Sequence, residues 1–515
     1  MKTNSLSRTI LRLEPLEDRC VSSAGVLDPT FGSGGTVTTS FAKSRGTAES
    51  DVVAIQPDGK IIAAGSSEIP NSLKVGYFEL ARYNPDGSLD TTFGSKGEVT
   101  TQIGARSFAN AVALQPDGKI LVAGLSELKA GDAFLIVRYN SDGSLDRTFG
   151  QTGMVATIIA PSSEAWSLDL VTVNGVTKIV ATGDVYSSSM RSWVFGLARY
   201  NLDGSVDTSF GSGGEVVTNI VTDNSYAQGS RVQGDGKIVV AGTFATVAGP
   251  SFRQFALARF NSDGSLDATF GTGGLVLTAI GQYALADAVA LQSDGKIVAG
   301  GNGNSNADFA LVRYSASGSL DASFGSGGVS LTSGSWFKGL VIQPADGKII
   351  ASGGELARYN PDGTLDATFG TGGIVTPTFG QGETAIALQS DGKIVTTVVN
   401  NGNFGVARYL ASEPLIGSFT ASSNSVASGS SVTLIALSIT DGNYISTPTV
   451  TQVAFYYDDS SGTKHVLGYG IQTSPGVWAL SFTVNLASGT YTLYAQAEDS
   501  YGVFGDPLSF SLTVQ

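Results

Sequence analysis

Four things are scarce in this 515-residue chain: cysteine, histidine, charge and long apolar runs. The single Cys20 excludes an internal disulfide framework and fits either a reducing cytosol or a bacterial exterior. The single His465 lies late, in "GTKHVLGY", so no Ser-His-Asp, Cys-His or histidine-rich metal site can be built in the chain before it. Charged residues make up 14% and acidic groups lead, 44 to 30, for a net charge of −14. With no basic cluster to track phosphates, nucleic acid is a poor partner. No apolar run reaches the roughly 18 residues needed to span a membrane as a helix. The first 26 residues also lack the apolar core, about 7–15 residues long, of an ordinary secretory signal. Helical periodicity is missing too. The 67 glycines and the short β-branched runs between Asp-Gly turns point to an all-β protein.

What the chain has is repetition. "LARYNPDGSLDTTFGSKG" at 80–97 returns as "LARYNLDGSVDTSFGSGG" at 197 and "LARYNPDGTLDATFGTGG" at 356, with looser copies from 136, 257 and 311. A further copy is divided: "LDPTFGSGG" at 27 opens the repeats and "FGVARYL" at 404 ends them. A second phrase precedes the first in each unit, as in "DVVAIQPDGKIIAAG" at 51 and "NAVALQPDGKILVAG" at 110. The lysine after its turn falls at 60, 119, 178, 237, 296, 348 and 393. Seven units follow. Each reads as four short strands, "VVAIQ", "KIIAAG", "FELARYN" and "GEVTT" in the first full one.

In "QPDGK", Pro57 is pre-set for the first central position of a type I turn, Asp58 tolerates the second, and Gly59 takes the φ > 0 position that leads into the next strand. "NPDGS" at 84 repeats the device between the third and fourth strands. A four-stranded meander of about 55 residues cannot bury both faces alone, whereas seven stacked around an axis form a β-propeller. Alanines in the first strand (Ala111, Ala113) suit a crowded axis; Phe78, Leu80 and Tyr83 in the third fill the wider space outside it. The divided copy then has a purpose. "FGSGGTVTTS" from Phe31 supplies the outer strand of the last blade, and the ring closes by hydrogen bonds between its two ends, which removes an exposed edge. The expected organisation is a largely disordered leader over 1–26, a seven-bladed propeller of four-stranded blades over 27–410, and a further domain over 411–515.

The phrases "ALQPDGKI" and "LARYNPDGSLD", recurring in order across 27–410, resemble the bacterial delta-60 repeat, and the strand order is similar to NHL-type propellers. The resemblance implies a propeller in an extracellular or surface setting and lends no chemistry. "LEPLEDR", Leu13 to Arg19, resembles the N-terminal motif of many surface and exported proteins of planctomycete-type bacteria, which implies export. The plainer alternative is a polar leader without an address.

Two residue types recur in every unit. Arg82, Arg138, Arg199, Arg259, Arg313, Arg358 and Arg408 close the third strands, and Asp28, Asp90, Asp146, Asp207, Asp267, Asp321 and Asp366 precede each "FG". A residue repeated seven times by symmetry reads as scaffold, here an Arg–carboxylate tie that pins a turn. Asn84, Asp86 and Asp90 are spaced like oxygen ligands of a calcium loop, so calcium is the one cofactor to consider. The distal bidentate glutamate is missing and 315–321 reads "SASGSLD", both of which favour plain turn chemistry. "FGSGG" is followed by no helix and so lacks the end that would cradle a phosphate.

Function belongs to what does not recur. Loops between second and third strands, and between blades, vary in length and composition. The third unit departs most: "VNGVTKIV" replaces the usual turn, and Trp166, Tyr186 and Trp193 occur with Glu164 and Asp184. Aromatics beside carboxylates suit a sugar face; local packing in a degenerate blade is the plainer reading. Phe252, Tyr283 and Trp336 sit in similar irregular stretches.

After "ASEPL" the rhythm changes. Residues 416–515 give about seven alternating strands, as expected of an Ig-like β-sandwich. "SGTYTL" resembles its tyrosine-corner segment, with Tyr491 at the corner, Leu493 where the second cysteine would stand, and Trp478 in the core. The resulting expectation is a monomeric, exported or cell-surface, non-enzymatic protein that binds glycans or envelope components through one propeller face. The rivals are a structural surface-layer component and a polysaccharide hydrolase or lyase, which would need two acids about 5–10 Å apart.

Overall fold

Each repeat folds into an antiparallel meander in sequence order. In blade 1 the strands are Ala48–Ile55, Ile61–Glu68, Gly76–Tyr83 and Glu98–Gly104. Blades 2 to 6 start at Ser107, Ser163, Asn224, Leu285 and Phe337. The computed structural model describes residues 24–41, 48–68, 76–104, 106–218, 223–246, 252–304, 308–334, 336–344, 346–380, 382–411, 416–439, 450–459, 463–499, 505 and 507–515. Cys20 and the "LEPLEDR" segment lie outside them. The expected turn is present: Gly59 has φ 82°, its N–H donates to Gln56 O at 2.9 Å, and the Gln56 N–H donates to Lys60 O at 2.8 Å.

Blade 7 takes Glu383–Leu388, Ile394–Asn400 and Asn403–Tyr409 from the end of the repeats and Thr36–Thr39 from their beginning. Thr36 pairs with Ala407 and Thr39 with Phe404, so the divided copy is a clasp. Seven apolar clusters form, one at each interface between neighbouring blades. The one across the closure joins Phe31, Val395 and Phe404 to Ile61, Ala63 and Tyr83. Tyr83 Oη also meets Thr39 Oγ1 at 2.7 Å across it.

The arginines link blades as well as turns. Arg82 donates through Nη1 to Ser141 O in the next blade, and Arg138, Arg199, Arg259, Arg313 and Arg408 do likewise to Leu202, Ser262, Ala316, Pro361 and Pro85. Blade 7 has no turn of its own at this place, because its outer strand comes from the other end of the chain. There Arg358 donates to Ala411 O, and the Gly370 N–H donates to Ala24 O at 2.7 Å. Gly25 and Leu410 complete the splice, with the Gly25 N–H on Leu410 O at 2.6 Å. Residues 24–26 therefore belong to the propeller and not to the leader, a correction the sequence hid because nothing in "AGV" repeats.

The C-terminal region has two sheets. One contains Ser418–Ala421, Ser431–Leu437, Val477–Thr483 and Ile471–Ser474; the other, Ser425–Val426, Leu508–Val514, Gly489–Asp499, Val450–Asp458 and Lys464–Tyr469. The second is mixed, since Ser425–Val426 runs parallel to Leu508–Val514. Phe419, Leu434 and Trp478 from the first sheet share a core with Val453, Phe455 and Leu493 from the second, as a sandwich requires. Tyr491 Oη donates to Ala487 O at 3.0 Å, the geometry of a tyrosine corner. The short segments Ser425–Val426 and Ile471–Ser474 raise the strand count above the seven expected.

Candidate functional site

The innermost strand of every blade breaks its pairing once. The register shifts between Ser50/Val52, Ala109/Ala111, Ala165/Ser167, Ala227/Gly229, Ala286/Ala288, Phe337/Gly339 and Glu383/Ala385. Each shift is a β-bulge, which leaves one residue unpaired and re-aims its side chain. The seven bulged residues are Asp51, Asn110, Trp166, Gln228, Asp287, Lys338 and Thr384. All seven line a single cavity of about 320 Å³ on the axis.

A glycine in the second strand makes room for the bulge. A Cβ on Gly124 would lie 1.8 Å from Phe108 O, on Gly183 1.9 Å from Glu164 O, and on Gly242 1.8 Å from Tyr226 O. The glycine in "VAG" is thus demanded by close backbone approach. The residue after the bulge is small in six blades, Ala111, Ser167, Gly229, Ala288, Gly339 and Ala385, with Val52 the exception. The bulged position itself carries two acids, a lysine, two amides, a hydroxyl and an indole.

Four ring members are held by the protein. Asn110 Nδ2 donates to Glu164 Oε1 and Ala165 O of the next blade, both at 3.0 Å. Thr384 Oγ1 bonds to Ser50 O across the closure. Trp166 Nε1 and Gln228 Nε2 donate to Asp184 Oδ2 at 3.1 and 3.3 Å, while the Ala227 N–H donates to Asp184 Oδ1 at 2.6 Å. Burial, with the Glu164 charge opposite it, pushes the Asp184 carboxyl well above the usual carboxylate range despite the Ala227 hydrogen bond. Burial likewise raises Glu164, against the hydrogen bond from Asn110.

Beyond Asp184, Tyr186 and Trp193 face each other across the hairpin, ring centres 5.6 Å apart and edge to face. Trp193 lies 6.2 Å from Tyr226 of blade 4. Arg253 stacks over Tyr283 at 4.6 Å nearby in the same blade. The five residues singled out in unit three are therefore contiguous: Glu164, Trp166 and Asp184 by pairing and hydrogen bonds, Tyr186 and Trp193 as an aromatic pair. Tyr226 completes the shelf and was not legible in the sequence, because only blade packing brings it to Trp193. Phe252 is half-buried at the end of its hairpin, where its N–H bonds Thr246 Oγ1 at 3.2 Å. Trp336, 48% exposed, stands two residues before Lys338 on the inner strand of blade 6.

The meander puts the turns between first and second and between third and fourth strands at one end of the propeller and the variable loops at the other. At the turn end Arg82 Nε donates to Asp90 Oδ2 at 2.8 Å and its guanidinium lies 4.5 Å over Phe93, an arrangement found in every blade. Arg138–Asp146 and Arg199–Asp207 repeat it at 2.8 and 2.9 Å. Against burial, which raises it, the Ser209 hydrogen bonds and the Arg199 charge bring Asp207 down to about 2. Of the calcium-like residues, Asp90 Oδ1 accepts from Thr92 N–H and hydroxyl at 3.0 and 2.7 Å, and its Oδ2 faces Lys60 as well as Arg82. Asp86 Oδ1 accepts from Ser88 N–H and Oγ, and Asn84 Nδ2 donates to Ser88 Oγ. These oxygens close the turn on itself. Among the described residues no three His, Cys, Asp or Glu side chains gather as a metal site. His465 stacks on Tyr457 in the C-terminal region and contacts Asp459 at 2.8 Å.

Residues 56–93, 115–149, 178–210, 233–270, 292–324 and 345–369 match the family model described as a domain of unknown function (DUF5122) β-propeller. None of the curated proteins compared matches the chain. Similar solved structures include a quinonprotein alcohol dehydrogenase-like protein from Bacteroides thetaiotaomicron VPI-5482, 11% identical, covering 92% of this chain and 99% of that one with a TM-score of 0.29. Another is sucrose-6-phosphate hydrolase from Lactobacillus gasseri, 7% identical, with coverages of 92% and 89% and a TM-score of 0.26. At these scores neither informs the chemistry of this chain. The matched segments run from the first blade to the sixth, so the propeller is similar to DUF5122 β-propeller repeats.

Proposed function

We propose that this chain is an exported, non-enzymatic binding protein that holds a saccharide, from a glycan or an envelope component, in the axial cavity lined by the bulged innermost strands. One observation carries the reading: the position each blade re-aims into the cavity is the one whose chemistry differs almost everywhere around the ring. Repeats keep what every blade needs to pack, so a position free of that demand is available for a ligand. Donors, acceptors and an indole converging in a concave site suit a polyhydroxylated ligand, whose flat C–H faces stack on aromatic rings. The shelf of Tyr186, Trp193 and Tyr226 extends the same surface outward. Glu164 and Asp184 act as supports, since they hold Asn110, Trp166 and Gln228. Export rests on the Leu13–Arg19 segment.

The test is an array of bacterial and algal polysaccharides probed with the purified full chain and with its Trp166→Ala and Trp193→Ala variants. Selective binding that falls by about tenfold or more in either variant supports the reading. Silence across the array, or a hit indifferent to both substitutions, contradicts it.

A further inference from the structure

Five of the seven ring residues have other partners in the protein, and two have only each other's charge. Asn110, Trp166, Gln228 and Thr384 bond to protein as described, and Asp51 also has an interaction of its own. Asp287 and Lys338 make no hydrogen bond or ion pair among the described residues, although they occupy the bulges of adjacent blades and line the same cavity. A built site with one acid and one base left open is shaped for a ligand group that meets both.

We infer that the saccharide is acidic and that its carboxylate is seated between Lys338 and Asp287. The inference rests on the cavity-binding reading above and adds the ligand's charge. Burial raises Asp287 to about 7, with Lys338 the charge that lowers it, so below neutrality Asp287 is a carboxylic acid with a proton to donate. Lys338 is exposed to the cavity and brings three N–H donors. A carboxylate accepts from an ammonium and a carboxylic acid at once, in charge-assisted hydrogen bonds. A cation would face Lys338, and a neutral hydroxyl would leave the lysine without a counter-charge.

Two other charged groups line the cavity, Arg231 and Asp51. Arg231 donates to Ser230 O at 2.7 Å and its charge acts on Asp169, while Asp51 lies on blade 1. Trp336, 48% exposed just before the strand that carries Lys338, can stack a sugar ring. The net charge of −14 opposes an anion only weakly beyond a Debye length of about 8–10 Å.

The experiment is calorimetric titration of the full chain with tetragalacturonate and with neutral galactotetraose at about pH 5.5 and about pH 8.5, on either side of the Asp287 transition. The uronate should bind about tenfold tighter than the neutral sugar at the lower pH and lose most of that margin at the higher one, where Asp287 is ionised. Lys338→Gln should abolish the preference for the uronate. Asp287→Asn, which still donates, should keep the preference and remove its pH dependence. Equal affinity of the native chain for both sugars overturns the acidic-ligand inference while leaving the saccharide reading intact. Failure of both sugars together with a silent array overturns both. Because the decisive comparison uses the native chain, a variant that misfolds does not blunt it.

Discussion

The two ends of the propeller are made from the same seven repeats and have opposite chemistry. At the turn end every blade carries the same arginine, aspartate and phenylalanine, each acid is matched by cations, and the carboxylates are held low. Along the axis and toward the loop end the bulged residues differ, several acids have no cation in contact, and their carboxyls are raised. The difference teaches where to look in a repeat protein. Uniform charge pairs hold the ring together; the positions that escape uniformity are those a bulge has turned out of the packing.

The largest effect should come from breaking the clasp. Removing residues 24–39 strips blade 7 of its outer strand together with Asp28 and Phe31, so a single sharp melting transition should give way to broad unfolding and aggregation by light scattering. An unchanged melt would mean that the turn-end ties are not what closes the ring. Next comes Arg199→Ala. It leaves buried Asp207 with Lys178 at 3.3 Å as its one cation in contact and cuts the link to Ser262, and chemical denaturation should register a loss of about 3–5 kcal/mol with saccharide affinity unaltered. A loss within experimental error would remove the turn end's claim to be scaffold.

The pH dependence sharpens the comparison, because the two ends titrate in opposite senses. Asp207 and Asp366, both lowered to about 2, contribute stability that is full above their ordinary range near 4 and vanishes as pH falls through about 2. Asp287 is raised, so its contribution is full below its ordinary range near 4 and is lost as pH rises from there through about 7. Melting temperature should therefore decline on both sides of mild acid. Asp287→Asn should remove only the neutral-side decline, worth about 1–3 kcal/mol. Identical profiles for native chain and variant would contradict the placement of that acid. The smallest effect is expected of Asp86→Ala at an exposed turn, within about 0.5 kcal/mol and without change in binding; a larger one would give the calcium-like loop a role beyond the turn.

Much of the fold was legible because its devices are local. A glycine after Asp, an arginine eight residues before an aspartate, and a phrase cut in two specify turns, ties and clasp without knowledge of distant contacts. The ring was not legible, because "NAVALQ" alternates like any strand and a bulge exists only in relation to the strand beside it. Its traces were present: in six units the bulged residue stands five before the glutamine that ends the strand, as Asp51 before Gln56 and Lys338 before Gln343, and in six units a glycine faces the bulge from the second strand. Tyr226 and the support role of Asp184 left no trace, since both arise where blades 3 and 4 meet.

The most direct test of the claim that binding lies in the ring and not in the ties is a structure of the full chain with its array-selected saccharide bound. The account predicts the sugar in the axial cavity, touching Trp166 and the Asp287–Lys338 pair. A saccharide seated at the Asp-Gly turns or on the C-terminal sandwich would contradict it.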